Sequence, residues 1–284
     1  MRMPAPAASN ETAGPGNRLP GVAPDTLSRR VNAERLVLLG WSRAILLQLA
    51  HPLVAAGVAD HSGFRASPAA AFMRLHSTVR SMLALTFGDE EQRERTLEHI
   101  RTIHRRVNGH LAADVGPYPA GTRYSAEDPA LVLWVHATLL DSVPLVYDLL
   151  VRRLGDDERD TYCREAAPVA IALGAREQDV PTTWSALRAY LDRMYGTGAI
   201  AVGPTARELA RAVMAPPGAA AVAPAGWIND LLTIGLLPEP IREGYGFTWS
   251  PGRQRALLVL LTALRQGRRL MPDAVALWRG ARRG

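Results

Sequence analysis

Apolar positions recur at steps of three and four along most of the chain, and no convincing run of alternating apolar and polar residues interrupts them. The pattern predicts helices over about 26–38, 41–60, 68–86, 90–113, 127–151, 157–173, 182–195, 205–214, 225–236 and 252–268. Helix starts are readable. Ser67 precedes Pro68 at a first helical position. Asp89 is followed three residues on by Gln92, and Thr205 by Glu208, as in capping boxes. Gly88, Gly109, Gly174 and Gly196 fall near predicted helix ends or breaks. Pro216, Pro217, Gly218 and Pro224 mark an internal linker, and no internal repeat suggests a solenoid. The fold class expected is all-α: a flexible leader over 1–23, one helical domain over 24–250 and a basic helical C-terminal extension over 251–284.

Composition narrows the class. Of 284 residues, 48% are hydrophobic and 21% charged, an ordinary globular balance. No apolar stretch reaches the ~18 residues of a transmembrane helix, and the N-terminus lacks the apolar core of a secretory signal. A cytoplasmic location is therefore expected. The single cysteine, Cys163, excludes intrachain disulfides, multi-cysteine zinc sites and the Cys-x-x-Cys-His haem attachment, and reads as a buried inert thiol. All 33 basic residues are arginine, which removes Schiff-base and Walker chemistry. The net charge of +6 is a property of one end: 251–284 holds eight Arg and one Asp, or +7, leaving −1 for the rest. That end is either a solvated tail or a surface for peripheral association with an anionic membrane. Nothing in it has the basic–aromatic interleaving of a nucleic-acid surface.

All seven histidines lie between 51 and 136. His104 shares a stripe with Leu97, Ile100, Val107 and Leu111, so its imidazole points inward. His136 sits in a segment apolar on all sides, with Asp141 and Ser142 near enough in sequence to be partners. An inward imidazole must be hydrogen-bonded or hold a metal. The zincin, di-iron Glu-x-x-His, nucleophile-elbow and Walker motifs are all absent. Two readings stand: a b-type haem held by an imidazole, or a helical scaffold with satisfied core histidines.

An ordered series of motifs carries a resemblance. It comprises Gln48-Leu-Ala-His-Pro through Asp60-His-Ser-Gly-Phe64, Arg74-Leu-His-Ser-Thr78, Ile103-His-Arg-Arg-Val-Asn-Gly109, Tyr124-Ser-Ala-Glu-Asp-Pro129 and Trp134-Val-His-Ala-Thr138. Pro181-Thr-Thr-Trp184 and Leu231-Leu-Thr-Ile-Gly-Leu-Leu-Pro238 agree with it. Over about 30–250 the chain resembles the oxygenase MpaB/rubber (latex-clearing) oxygenase catalytic-domain family. The resemblance implies an all-α fold with a globin-like core, a non-covalent haem b, and use of dioxygen to cleave carbon–carbon double bonds in an apolar, isoprenoid or prenyl substrate. His104 best matches the proximal iron ligand. Arg74 and Thr78 match the distal-side motif as catalytic residues, with Arg74 also placed to bind the cofactor; His136 is a second cofactor-binding candidate. Two departures stand out: Ser77 replaces the lysine of the rubber oxygenases, and Asp60 is the sole acid near the position of their proposed glutamate base. Two other classes stay open: a non-catalytic haem or lipid carrier, and a cofactor-free helical interaction protein.

Overall fold

A computed structural model describes residues 25–61, 68–214 and 223–282, without the side chains of 68–76, 223–225 and 282. The leader, Ser67 and the 216–218 part of the linker lie outside the described residues. The described chain is helical almost throughout, as its periodicity predicts. Its helices are α1 (Leu27–Ala33), α2 (Trp41–Leu49), α3 (Pro52–His61), α4 (Pro68–Phe87) and α5 (Glu90–Arg106). After a short strand pair come α6 (Pro129–Leu150), α7 (Asp156–Ala172), α8 (Trp184–Gly196) and α9 (Pro204–Met214). The series ends with α10 (Ala223–Leu236), α11 (Glu239–Gly244), α12 (Pro251–Leu270) and α13 (Asp273–Ala276).

Helix α6 is the centre. It is apolar around its whole circumference, and α1, α2, α7, α8 and α12 pack against it. Trp134, Leu140 and Val143 join Cys163 of α7 and Leu187 and Leu191 of α8 in one core. A second core forms where Leu46, Leu47 and Leu49 of α2 meet Leu209 of α9 and Ile241 of α11. Among the described residues, α6 alone is long and apolar enough to cross a membrane, and most of it is covered by these neighbours.

Four expectations are corrected. The single helix expected over 41–60 is two. The helical run 35–49 and α3 are bent by 105° around Ala50 and His51. Pro52 has no N–H to continue the ladder, and the His51 ring turns back to accept the Leu53 N–H at 3.3 Å. Helix α5 stops at Arg106 instead of running to 113. Beyond it β1 (Asn108–His110) pairs antiparallel with β2 (Arg123–Ser125), placing Gly109 opposite Tyr124. A Cβ at Gly109 would lie 2.5 Å from the Tyr124 hydroxyl, so a side chain there would displace the ring. Strands of three residues are too short to show as alternation. Thr205 is not a cap, because α9 already begins at Pro204. Asp89, by contrast, caps α5 by accepting the Gln92 N–H at 2.8 Å.

The arginine-rich end is not a free tail as far as Ala281. Leu257 of α12 packs on Leu231 and Leu232 of α10. The Arg268 guanidinium donates to both oxygens of buried Glu34, at 2.8 and 2.7 Å. Trp278 N–H then donates to Ala33 O at 3.0 Å, which closes the C-terminus across the end of α1.

Candidate functional site

A cavity of about 650 Å³ lies between the α4–α5 pair and helices α2, α3, α6 and α7. Its volume falls within the ~300–1,000 Å³ typical of small-molecule sites. The wall is mainly aliphatic: Leu49 and Leu53 come from the bent α2–α3 run, and Val132, Val135 and Leu139 from α6. The bend at His51 turns successive helices to two sides of the same space.

Polar side chains are the smaller part of the wall, but they include Asn32, Arg93, Arg164 and Glu165 as well as three histidines. His104 reaches the wall from the last turn of α5, His136 from the middle of α6, and His99 from one side of α5. Ser77 and Thr78 line it from α4. Arg74 lies on α4 too, but its side chain, like that of His76, is outside the described residues. His51, His61 and His110 are not on the wall. The histidine cluster thus converges in part.

His136 is the most constrained of the three. It keeps some accessible area because it faces the cavity, yet its Nε2 is sealed and has no hydrogen-bond partner among the described residues. The partners expected from sequence are elsewhere. Asp141 and Ser142 lie five and six residues on, about 140° and 240° around the helix. There they hold the guanidinium of Arg43, each at 2.6 Å. A buried imidazole nitrogen without a partner costs free energy until a water or a ligand supplies one.

Asp60 is not on the cavity wall. Its carboxylate accepts the Tyr124 hydroxyl at 2.6 Å, and Tyr124 forms part of the wall, so Asp60 reaches the site through another side chain. His61 joins them at the surface: its Nε2 lies 2.9 Å from Asn108 O. Tyr124 is therefore gripped from outside while its ring seals the cavity.

Two further groups on the wall extend the sequence pattern. The stripe of His104, Ile100 and Leu97, carried one turn further back, reaches Arg93, which is 5% exposed and on the wall. Burial pulls its pKa below the usual arginine range. Gln48, inside the first motif, lines the cavity, and its amide donates to Thr138 at 3.2 Å. Cys163 is buried and its thiol is pushed up to about 11, which agrees with an inert role.

Burial pushes His51 and His136 down from 6.5 to about 4, although the Asp128 charge pulls His51 slightly the other way. The His51 ring is satisfied as a neutral base: Nδ1 accepts Leu53 N–H, which leaves the proton on Nε2 to donate to Tyr118 Oη at 3.2 Å. Both rings bind a proton more readily in the unfolded chain. Their stabilisation is complete above about pH 6.5 and is lost as pH falls toward 4, at up to roughly 1.4 kcal/mol per pH unit for each ring. Lowering pH from about 7.5 to about 5.5 is therefore expected to lower the urea midpoint of the cofactor-free chain. His51→Gln should flatten that dependence. An equally steep dependence in His51→Gln would assign it to other groups.

The donor set limits what the cavity can hold. Among the described residues, no three His, Cys, Asp or Glu side chains converge as a metal site. A non-haem iron centre takes two histidines and a carboxylate from the protein. Haem brings four nitrogens of its own and asks the protein for one imidazole. The cavity offers that imidazole in an apolar setting.

Comparison with known proteins gives a consistent result. Residues 28–266 match the family described as ER-bound oxygenase mpaB/B'/Rubber oxygenase, catalytic domain. An uncharacterized protein of Mycobacterium tuberculosis and one of Mycobacterium bovis are each 28% identical over 236 residues, covering 80% of this chain and 87% of the relative. No solved structure matches.

Proposed function

This chain belongs to the mpaB/rubber oxygenase catalytic-domain family, and from that premise we propose that it is a haem b-dependent oxygenase using dioxygen on an apolar, alkene-bearing substrate. The family is one of oxygenases, so an oxidoreductase-type activity follows from membership. Haem and the alkene substrate are the finer reading. One observation carries it: a largely aliphatic 650 Å³ cavity with His104 and His136 on its wall, contributed by two different helices.

The residues present fit the group. His104, at the end of α5, is the side chain assigned to hold the iron. His136, neutral because of its burial, is the second imidazole of the pocket. Haem, when bound, supplies the iron at which dioxygen is activated. The chain does the rest. Leu53, Val132, Val135 and Leu139 exclude water and orient an apolar substrate by shape. Thr78 offers a hydroxyl on the wall, and Arg74 is assigned to the same side by its motif. With serine at 77, and no lysine in the chain, no amine can occupy that side.

The test is an absorbance spectrum of protein expressed with a haem precursor. A Soret band that co-elutes with the protein through gel filtration at about one haem per chain is expected. Apoprotein under those conditions would sink the proposal. Oxygen uptake on adding prenylated substrates then separates an oxygenase from a carrier.

A further inference from the structure

The outer face of α12 takes no part in the cavity or the core. The helix has 20 residues, five of them Arg and none Asp or Glu. Its inner side is committed: Leu257, Leu260, Leu261 and Leu264 pack toward α10, and Arg268 is held by Glu34. At about 100° per residue, Arg255, Leu258, Val259, Thr262, Arg269 and Leu270 share the opposite face, and all six are exposed. Leu258 is 55%, Val259 70% and Leu270 86% exposed.

The charges on this face are not spent internally. Arg255 contacts only the Pro251 carbonyl and Arg269 only the Gln266 amide oxygen, both at 3.4 Å; neither meets a carboxylate among the described residues. Three exposed aliphatic side chains beside two exposed guanidinium groups make an amphipathic surface that is basic and not merely polar. In the sequence 251–284 carries +7 and the rest −1; Arg268 is neutralised by Glu34, so the charge of this face is that of Arg255 and Arg269.

We propose that the outer face of α12 docks on an anionic lipid bilayer, with Leu258, Val259 and Leu270 entering the interface and Arg255 and Arg269 meeting lipid phosphates. Basic, apolar helix faces lie in the interface plane in this way. A second copy of the chain would bring arginine against arginine. Duplex nucleic acid would leave three aliphatic side chains without an apolar environment. The bilayer alone satisfies both halves of the face. The inference is independent of what fills the cavity.

The test is flotation of the full chain with phosphatidylcholine vesicles, with and without phosphatidylserine. Binding is expected only with the anionic lipid, and should weaken as salt shortens the ~8 Å screening length of physiological buffer. Arg255→Gln and Arg269→Gln should each lower affinity about fivefold. The triple change Leu258→Ser, Val259→Ser, Leu270→Ser should abolish binding while leaving the thermal unfolding curve in place, since these side chains are exposed. Equal binding to phosphatidylcholine alone, or binding indifferent to all these changes, would overturn the proposal. So would a dimer in gel filtration that the triple change dissociates, or tighter binding of duplex DNA than of the anionic vesicles.

Discussion

His104→Ala is expected to yield a helical, soluble protein that no longer retains haem through gel filtration. The side chain lies on the cavity wall at the last turn of α5, so shortening it removes a donor without opening the main cores. Partners that merely orient a metal ligand are worth about 10–100-fold in affinity. Loss of the ligand itself should cost more than that. Circular dichroism should change little. His136→Ala, in parallel, should keep haem but shift the spectrum, because it alters a buried imidazole of the pocket wall. If His104→Ala keeps a stoichiometric, unshifted Soret band and His136→Ala loses it, the ligand is His136.

Arg43→Met is expected to be strongly destabilising. Arg43 and Asp141 are both buried, 2.6 Å apart, and the same guanidinium donates to Ser142 Oγ at 2.6 Å and Leu236 O at 2.7 Å. It therefore ties α2 to α6 and α10 at the junction of the two main cores. Among the described residues, removing it leaves the Asp141 carboxylate with the half-exposed Arg188, at 3.3 Å, as its remaining charged partner. Breaking a buried pair from one side costs about 3–5 kcal/mol, a large share of the ~5–15 kcal/mol that holds a typical protein folded. A fall in Tm of about 10 °C follows for a chain of this size. Replacing both partners, Arg43→Met with Asp141→Leu, should recover much of the loss because no charge is then stranded. A double variant no more stable than Arg43→Met would show that the cost lies in packing or in the Leu236 carbonyl.

The helices were legible because each is a local object. The apolar circumference of α6 can be read directly as a buried centre, and the stripe of Leu97, Ile100 and His104 places that imidazole inward. The bend at His51 was less visible. The segments on both sides are apolar, and Pro52 is compatible with either a bend or a new helix start. The strand pair at 108–110 and 123–125 was not legible, since three-residue strands carry too little pattern. Arg93 is hidden in the pattern, because a charge on an amphipathic helix usually marks its solvent side. Here the face it belongs to is the cavity wall.

The chain alone determined the helical class, the inward direction of His104, the burial of His136 and the concentration of charge after 250. These depend on periods of a few residues and on composition, which are quantities local to the chain. Only the tertiary structure decided which residues meet. Asp141 and Ser142 turn to Arg43, almost a hundred positions away, instead of to His136 on their own helix. Asp60 stands behind Tyr124 instead of on the wall. Glu34 takes Arg268 from the other end of the sequence and makes a basic tail part of the fold. Each of these is a pairing between distant segments, chosen because a buried charge or donor must find a partner wherever packing brings one within reach. No period in the sequence records which partner that will be.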